Sequence, residues 1–221
     1  MEKRISTSIL FLILTSFISC KSQEDKKTEI IQTPKYFKTF YEVEGDLDED
    51  EIPEKVIVYD TEKETDFGTE RQIYIYKKNN DKWLLWNKSV GAILPSKHGG
   101  MMGDPFEGIS VEGNCIIVNH SGGSREKWNY SHTFKYQSGD FQLIKAAVSY
   151  GSPCDYFMSF DYNLSNGKVN YEKETENCEN EISKIEKKEM IAKLKALPSM
   201  DGFYPGNNKL TFPNSEITIY Y

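Results

Sequence analysis

Ten consecutive residues, Gly45-Asp46-Leu47-Asp48-Glu49-Asp50-Glu51-Ile52-Pro53-Glu54, carry the densest chemistry in the chain. Asp46, Asp48 and Asp50 stand at alternate positions just ahead of the apolar run Val56-Ile57-Val58. Acids so spaced bring several oxygens to the inside of one tight loop, which is what a hard cation with about six to eight oxygen ligands requires. The chemistry expected there is calcium binding; a plain solvated acidic turn has the same composition.

A second stretch, Lys97-His98-Gly99-Gly100-Met101-Met102-Gly103-Asp104-Pro105-Phe106, sets three glycines and a proline around two methionines. That composition specifies a long loop with unusual backbone angles. Loops of this kind on a rigid sheet are where ligand sites tend to sit, and the plainer reading is a crossover whose methionines plug the end of the core.

The third runs from His120 to His132 and offers two imidazoles, several hydroxyls, the Arg125 guanidinium and the Trp128 indole. Nucleophilic catalysis would combine Ser121 or Ser124 with His120 or His132 as base and Asp104 as the orienting acid. Neither serine lies in a Gly-x-Ser-x-Gly elbow, so the enzymatic signal is weak. Trp128, Tyr130, His132 and Phe134 alternate, so on a strand they share one face. Such a stripe builds core or a cross-strand ladder; with Arg125 beside it, the Trp128–Tyr130 end also suits a platform for stacking a sugar ring. His98, His120 and His132 show none of the close spacings of a zinc site.

These groups must be held by strands. Period-two runs dominate from Tyr36 onward: 55–61, 71–77, 82–86, 109–112, 115–120, 128–136, 141–150, 156–164, 168–172, 210–212 and 216–221. Turn residues separate them, at Asn79-Asn80-Asp81, Gly113-Asn114, Ser138-Gly139-Asp140 and Asn166-Gly167. The fold expected is all-β, an antiparallel meander of about ten strands arranged as a sandwich or a partial propeller, with one C-terminal helix. That helix is placed near 183–197, capped by Ser183, with Ile185, Met190, Ile191, Leu194 and Leu197 on one stripe and Pro198 as the stop.

The beginning of the chain reads as an address. Lys3 and Arg4 precede an apolar run from Ile9 to Ile18 that is short for a membrane span, which describes a signal peptide over residues 1–19. Phe17-Ile18-Ser19-Cys20 resembles a relaxed lipobox, implying lipidation of Cys20, and the acids Glu24 and Asp25 behind it resemble an export tag of Bacteroidota surface lipoproteins. Residues 20–35 then form a polar tether, and 36–221 a single domain. The resemblance implies anchorage in the outer membrane, surface-exposed or facing the periplasm. The net charge of −7 becomes one unit more acidic once Glu2, Lys3 and Arg4 leave with the leader, which disfavours nucleic acid as a partner. In an oxidising compartment Cys154 and Cys178, flanking the Asn166-Gly167 turn, are expected to pair, and Cys115 in the run Cys115-Ile116-Ile117-Val118 to stay a buried thiol.

The acidic stretch resembles the calcium loop of FG-GAP or VCBS-type repeats, found in integrin-like propellers, in which a glycine-aspartate start and alternating acids precede a strand. By that resemblance Asp46, Asp48, Asp50 and Glu54 supply side-chain oxygens and Ile52 a backbone carbonyl. Glu51 departs from the pattern, which has glycine there for a left-handed turn. Most of the remaining chain resembles Bacteroidota envelope lipoproteins with segments like GGMMGDPFEGI and HSGGSREKWNYSHTFKY. The function expected is a non-enzymatic module binding a glycan or an envelope protein; the alternative is a hydrolase of envelope polymers using the His120–His132 hairpin.

Overall fold

The computed structural model describes residues 37–177 and 182–221. The expected leader and tether, with Cys20, and Cys178 lie outside the described residues. Four strands, β1 (Lys38–Gly45), β2 (Glu54–Thr65), β3 (Gly68–Asn79) and β4 (Lys82–Val90), pair antiparallel in chain order as one sheet. A second sheet follows the same rule through β5 (Phe106–Glu112), β6 (Cys115–Gly123), β7 (Lys127–Gln137), β8 (Asp140–Ser152), β9 (Tyr156–Asn163), β10 (Lys168–Glu176) and β11 (Ile182–Ile191). A short ribbon of β12 (Lys209–Thr211) and β13 (Thr218–Tyr220) closes the chain. The described chain is therefore all-β, with thirteen strands where about ten were expected.

The turns explain why a meander results. Asn80, Asn114 and Ser138 take φ of 54°, 63° and 54°, and Gly139 and Gly167 take 85° and 82°. These left-handed values let the two-residue links after β3, β5 and β7, and the four-residue link after β9, reverse the strand. One core joins the sheets, with Val56, Val58, Ile73 and Ile75 from the first and Ile116, Val118, Phe134, Leu143, Phe160 and Tyr162 from the second. The alternate residues Ile57, Tyr59, Tyr74 and Tyr76 are also buried, in a separate cluster with Phe37 and Leu85. Burial on both faces is why β2 and β3 read as near-continuous apolar runs.

The expected helix is a strand. Residues 182–191 pair with β10 in antiparallel register, with Lys187 opposite Glu172 and Glu186 opposite Lys173. Lys187 Nζ reaches Glu172 at 2.9 Å. Opposite charges across a ladder reward strand pairing, and side-chain fit of this kind overrides a weak helical pattern. The supposed stripe does not face one way, because Ile185 and Ile191 are 50% and 66% exposed while Met190 packs against the core. As an edge strand, β11 carries the lysines and glutamates that discourage pairing with another chain.

The segment after β11 positions the site. It crosses back over the second sheet, where Leu143 N donates to Pro198 O (2.8 Å) and Met200 N to Phe141 O (2.7 Å). Ser89 Oγ donates to Met200 O at 2.5 Å. Phe203 then packs edge-on against His132 and Phe134, with centroids at 4.8 and 5.4 Å, which leaves residues 204–207 at one end of β7.

Candidate functional site

The alternating stripe on β7 divides in two. His132 and Phe134 are fully buried in the core, whereas Trp128 and Tyr130 are half-buried, with rings 5.0 Å apart and 35° from parallel. Trp128 stands opposite Gly122 in the β6–β7 register. A Cβ at Gly122 would run into the indole and would lie 2.8 Å from the Gly99 Cα. The indole therefore rests on backbone that only glycine leaves open.

Gly99 belongs to the loop between β4 and β5, which folds on itself and docks on the end of β6. Gly99 N donates to Gly103 O (2.9 Å), Gly103 N to Gly100 O (3.1 Å) and Gly123 N to Gly99 O (2.9 Å). Gly100 and Gly103 take φ of 66° and 84°. The loop thus builds a wall, and its methionines do not plug the core: Met101 is 88% exposed and Met102 also faces solvent. Inward packing would demand that the tight Gly99–Gly103 turn point its side chains at its own backbone.

The third wall is Tyr204-Pro205-Gly206-Asn207. Tyr204 Oη bonds His98 Nδ1 at 3.1 Å, tying this segment to the loop. The Tyr130 hydroxyl approaches Gly206, where a Cβ would stand 3.0 Å from it. Together with Leu94 the three segments line an open cavity of about 270 Å³. Burial lowers the His98 pKa, so its ring is neutral at pH 7. Tyr130 and Tyr150 hydroxyls lie 3.0 Å apart, and Tyr150 Oη donates to Tyr220 O at 2.9 Å. Since Tyr150 has one proton and gives it to that carbonyl, Tyr130 is the donor between them, and its own lone pairs remain to accept from a ligand. Arg125, grouped with Trp128 and Tyr130 from the sequence, is exposed in the β6–β7 turn and outside the cavity lining.

The catalytic candidates do not assemble. Both Asp104 oxygens receive the Arg71 guanidinium at 2.7 Å, and one also accepts Phe106 N at 3.1 Å. Burial opposes the Asp104 charge, but Arg71 outweighs it and holds the carboxyl below its usual range. His120 Nε2 accepts Leu94 N at 3.2 Å, and His120 Nδ1 and both His132 nitrogens are buried without hydrogen-bond partners among the described residues. Burial drives both imidazoles down to about 3, helped at His120 by the Arg71 charge and at His132 by His120. Ser124 sits in the exposed turn, with its amide on Glu126 O at 3.0 Å. Ser121 Oγ donates to Glu107. No serine, imidazole and Asp104 carboxylate are linked by hydrogen bonds among the described residues.

The acidic loop is self-contained. One ligand oxygen from each of Asp46, Asp48 and Asp50 lies within 4.8 Å of the others. Asp46 accepts the amides of Glu49 (2.7 Å) and Glu51 (3.0 Å), and Asp50 accepts that of Ile52 (2.8 Å). Glu54 is buried, and its carboxylate accepts Leu47 N at 2.8 Å. Burial raises the Glu54 pKa against that amide, and the charges of Asp50 and Asp46 raise it further. Asp48 pairs with Lys77 through one oxygen, while the other is buried with no partner. An orphaned carboxylate oxygen among converging aspartates fits a hard cation. Glu51 takes φ 66°, the left-handed turn for which the loop pattern uses glycine.

Of the cysteines, Cys154 is disulfide-bonded and Cys115 is free and buried. Cys178, the expected partner of Cys154, lies outside the described residues. Compared with known protein families, curated proteins and solved structures, the chain matches none.

Proposed function

We propose that the protein is a lipid-anchored binding module of the outer membrane that takes a glycan in the cavity between β7, the Gly99 loop and Tyr204–Asn207. The observation that carries this reading is the seating of Trp128. Pinned on one side by Gly122 and Gly99, the indole lines the cavity with Tyr130 beside it, a rigid aromatic surface with polar tips. Glycan is favoured over an envelope protein because the site is small and concave, whereas protein partners bury about 800 Å² each on broad surfaces.

The hydrolase alternative has no comparable support, since both imidazoles are buried and driven down to about 3, which makes them poor bases at pH 7, and none of their nitrogens is hydrogen-bonded to a serine among the described residues. The address rests on the leader and Cys20. Cys20→Ala is expected to move the protein out of the membrane fraction. We further propose that Asp46, Asp48 and Asp50 hold calcium. The ion would neutralise their mutual repulsion and clamp the loop at the start of β2. Affinity electrophoresis of the protein through gels carrying immobilised mono- and oligosaccharides of envelope glycans tests the leading reading. Retardation lost in Trp128→Ala supports it, and migration unchanged in every gel refutes it.

A further inference from the structure

Resting on the glycan reading of this cavity, we infer that it takes a single uncharged pyranose at the end of a glycan, and rejects acidic sugars and internal stretches of chain. Three observations point to this. The first is charge. The chain has 27 basic and 34 acidic residues, yet the cavity lining of Leu94, His98, Trp128, Tyr130 and residues 204–207 includes no lysine, arginine, aspartate or glutamate. A uronate or phosphate entering it would shed water without meeting a countercharge, and burying an unpaired ion is far costlier than burying a hydroxyl.

The second is the polar inventory. Tyr130 has lone pairs free to accept, and Asn207 offers an amide that both donates and accepts. Tyr204 and His98 hold one another at 3.1 Å and bring a hydroxyl and an imidazole to the same wall. Neutral groups that donate and accept match sugar hydroxyls, and the Trp128 and Tyr130 rings match the apolar face of a pyranose.

The third is size. At about 270 Å³ the cavity lies just below the ~300 Å³ at which pockets for drug-sized ligands begin. Its walls narrow where Gly206 meets the Tyr130 hydroxyl and where Gly122 and Gly99 carry the indole, and its mouth is open to solvent. A volume of this size accommodates one ring, with the rest of a glycan left outside the mouth.

The test is calorimetric titration of the full protein in detergent with three probe sets: neutral methyl hexopyranosides and N-acetylhexosaminides, the corresponding methyl uronates, and oligosaccharides of increasing length that end in the best neutral sugar. At least one neutral glycoside is expected to bind, its uronate at least tenfold more weakly, with affinity flat beyond the disaccharide. Tyr130→Phe, which keeps the ring and removes the acceptor, is expected to weaken binding at least fivefold, with Tm lowered by no more than the few degrees that the lost bond to Tyr150 accounts for. Uronates binding as well as neutral sugars, affinity climbing with each added residue, or Tyr130→Phe binding like wild type would each overturn the inference while the cavity remains a glycan site. Binding of no probe, neutral or charged, would overturn the glycan reading itself.

Discussion

The acidic loop and the aromatic cavity are built in opposite ways. In the loop, residues 45–54 supply the carboxylates and the amides that hold them, through bonds spanning seven residues or fewer, and two distant lysines reach in, Lys77 to Asp48 and Lys135 to Glu49. In the cavity, β7 meets a loop some thirty residues upstream and a turn some seventy-five downstream; the His98–Tyr204 bond alone spans 106 residues. Local sites keep their geometry through backbone turns, whereas assembled sites depend on the packing of the whole core beneath them. Perturbing the core should therefore disturb the cavity, while the loop should respond to changes in its own residues.

The largest expected effect comes from the two buried histidines below the cavity. Their folded pKa values of about 3 lie below the unfolded value near 6.5, so the unfolded chain takes up protons first. Stability is then fullest above the unfolded pKa and is lost as pH falls from about 6.5 toward 3. Between pH 7 and pH 5 the pair should lose roughly 4 kcal/mol, and His132→Phe should remove about half of that dependence. Urea denaturation at both pH values measures it; equal stability at pH 5 and 7 would show that the imidazoles are not buried neutral.

Gly122→Ala comes next. Its methyl group would meet the indole, and overpacking of this kind costs about 1–3 kcal/mol. Loss of glycan binding should accompany the lower Tm, and calcium binding should survive. A Gly122→Ala protein that keeps full affinity would mean the indole does not need its glycine seat.

For the loop, calcium at ten times its Kd should add about 1.4 kcal/mol, a Tm rise of a few degrees, and Asp48→Ala should abolish it. Lys77→Met should raise calcium affinity by removing a competing cation from Asp48. Melting that is identical in calcium and chelator would leave the loop as a turn without an ion. Smallest is Glu51→Gly, expected to stabilise by about 1 kcal/mol by relieving a left-handed residue at φ 66°. A lower Tm in this variant would mean that the Glu51 side chain contributes more than its backbone strain takes away.

Much of the fold was legible because its signals are local. Turn residues such as Asn80, Asn114 and Gly167 mark the reversals, and alternation marks the strands between them. The helix at 183–197 was misread because cross-strand partners such as Glu172 and Lys173, which decide for β11, lie outside any local window. The same limit governs the sites. Alternating acids announced the loop, and the β7 alternation put Trp128 and Tyr130 on one face. Tyr204 and Asn207 went unseen, since the turn-like Tyr-Pro-Gly-Asn run gives no hint of which strand it will meet. Asp104 reads in the sequence as an acid to orient a histidine, but its carboxylate is taken by Arg71, on a strand more than thirty residues away.

The claim that glycan binds beside Trp128 is tested most directly by the indole N–H resonances of the protein during titration with the best neutral glycoside. Trp83 and Trp86 stand on β4, Trp86 packed against Tyr136 and Phe141, and they serve as internal references. The account predicts that the Trp128 resonance shifts to saturation along the calorimetric isotherm while the other two stay in place. Saturable binding that leaves Trp128 unmoved, or moves Trp83 or Trp86 instead, would contradict it.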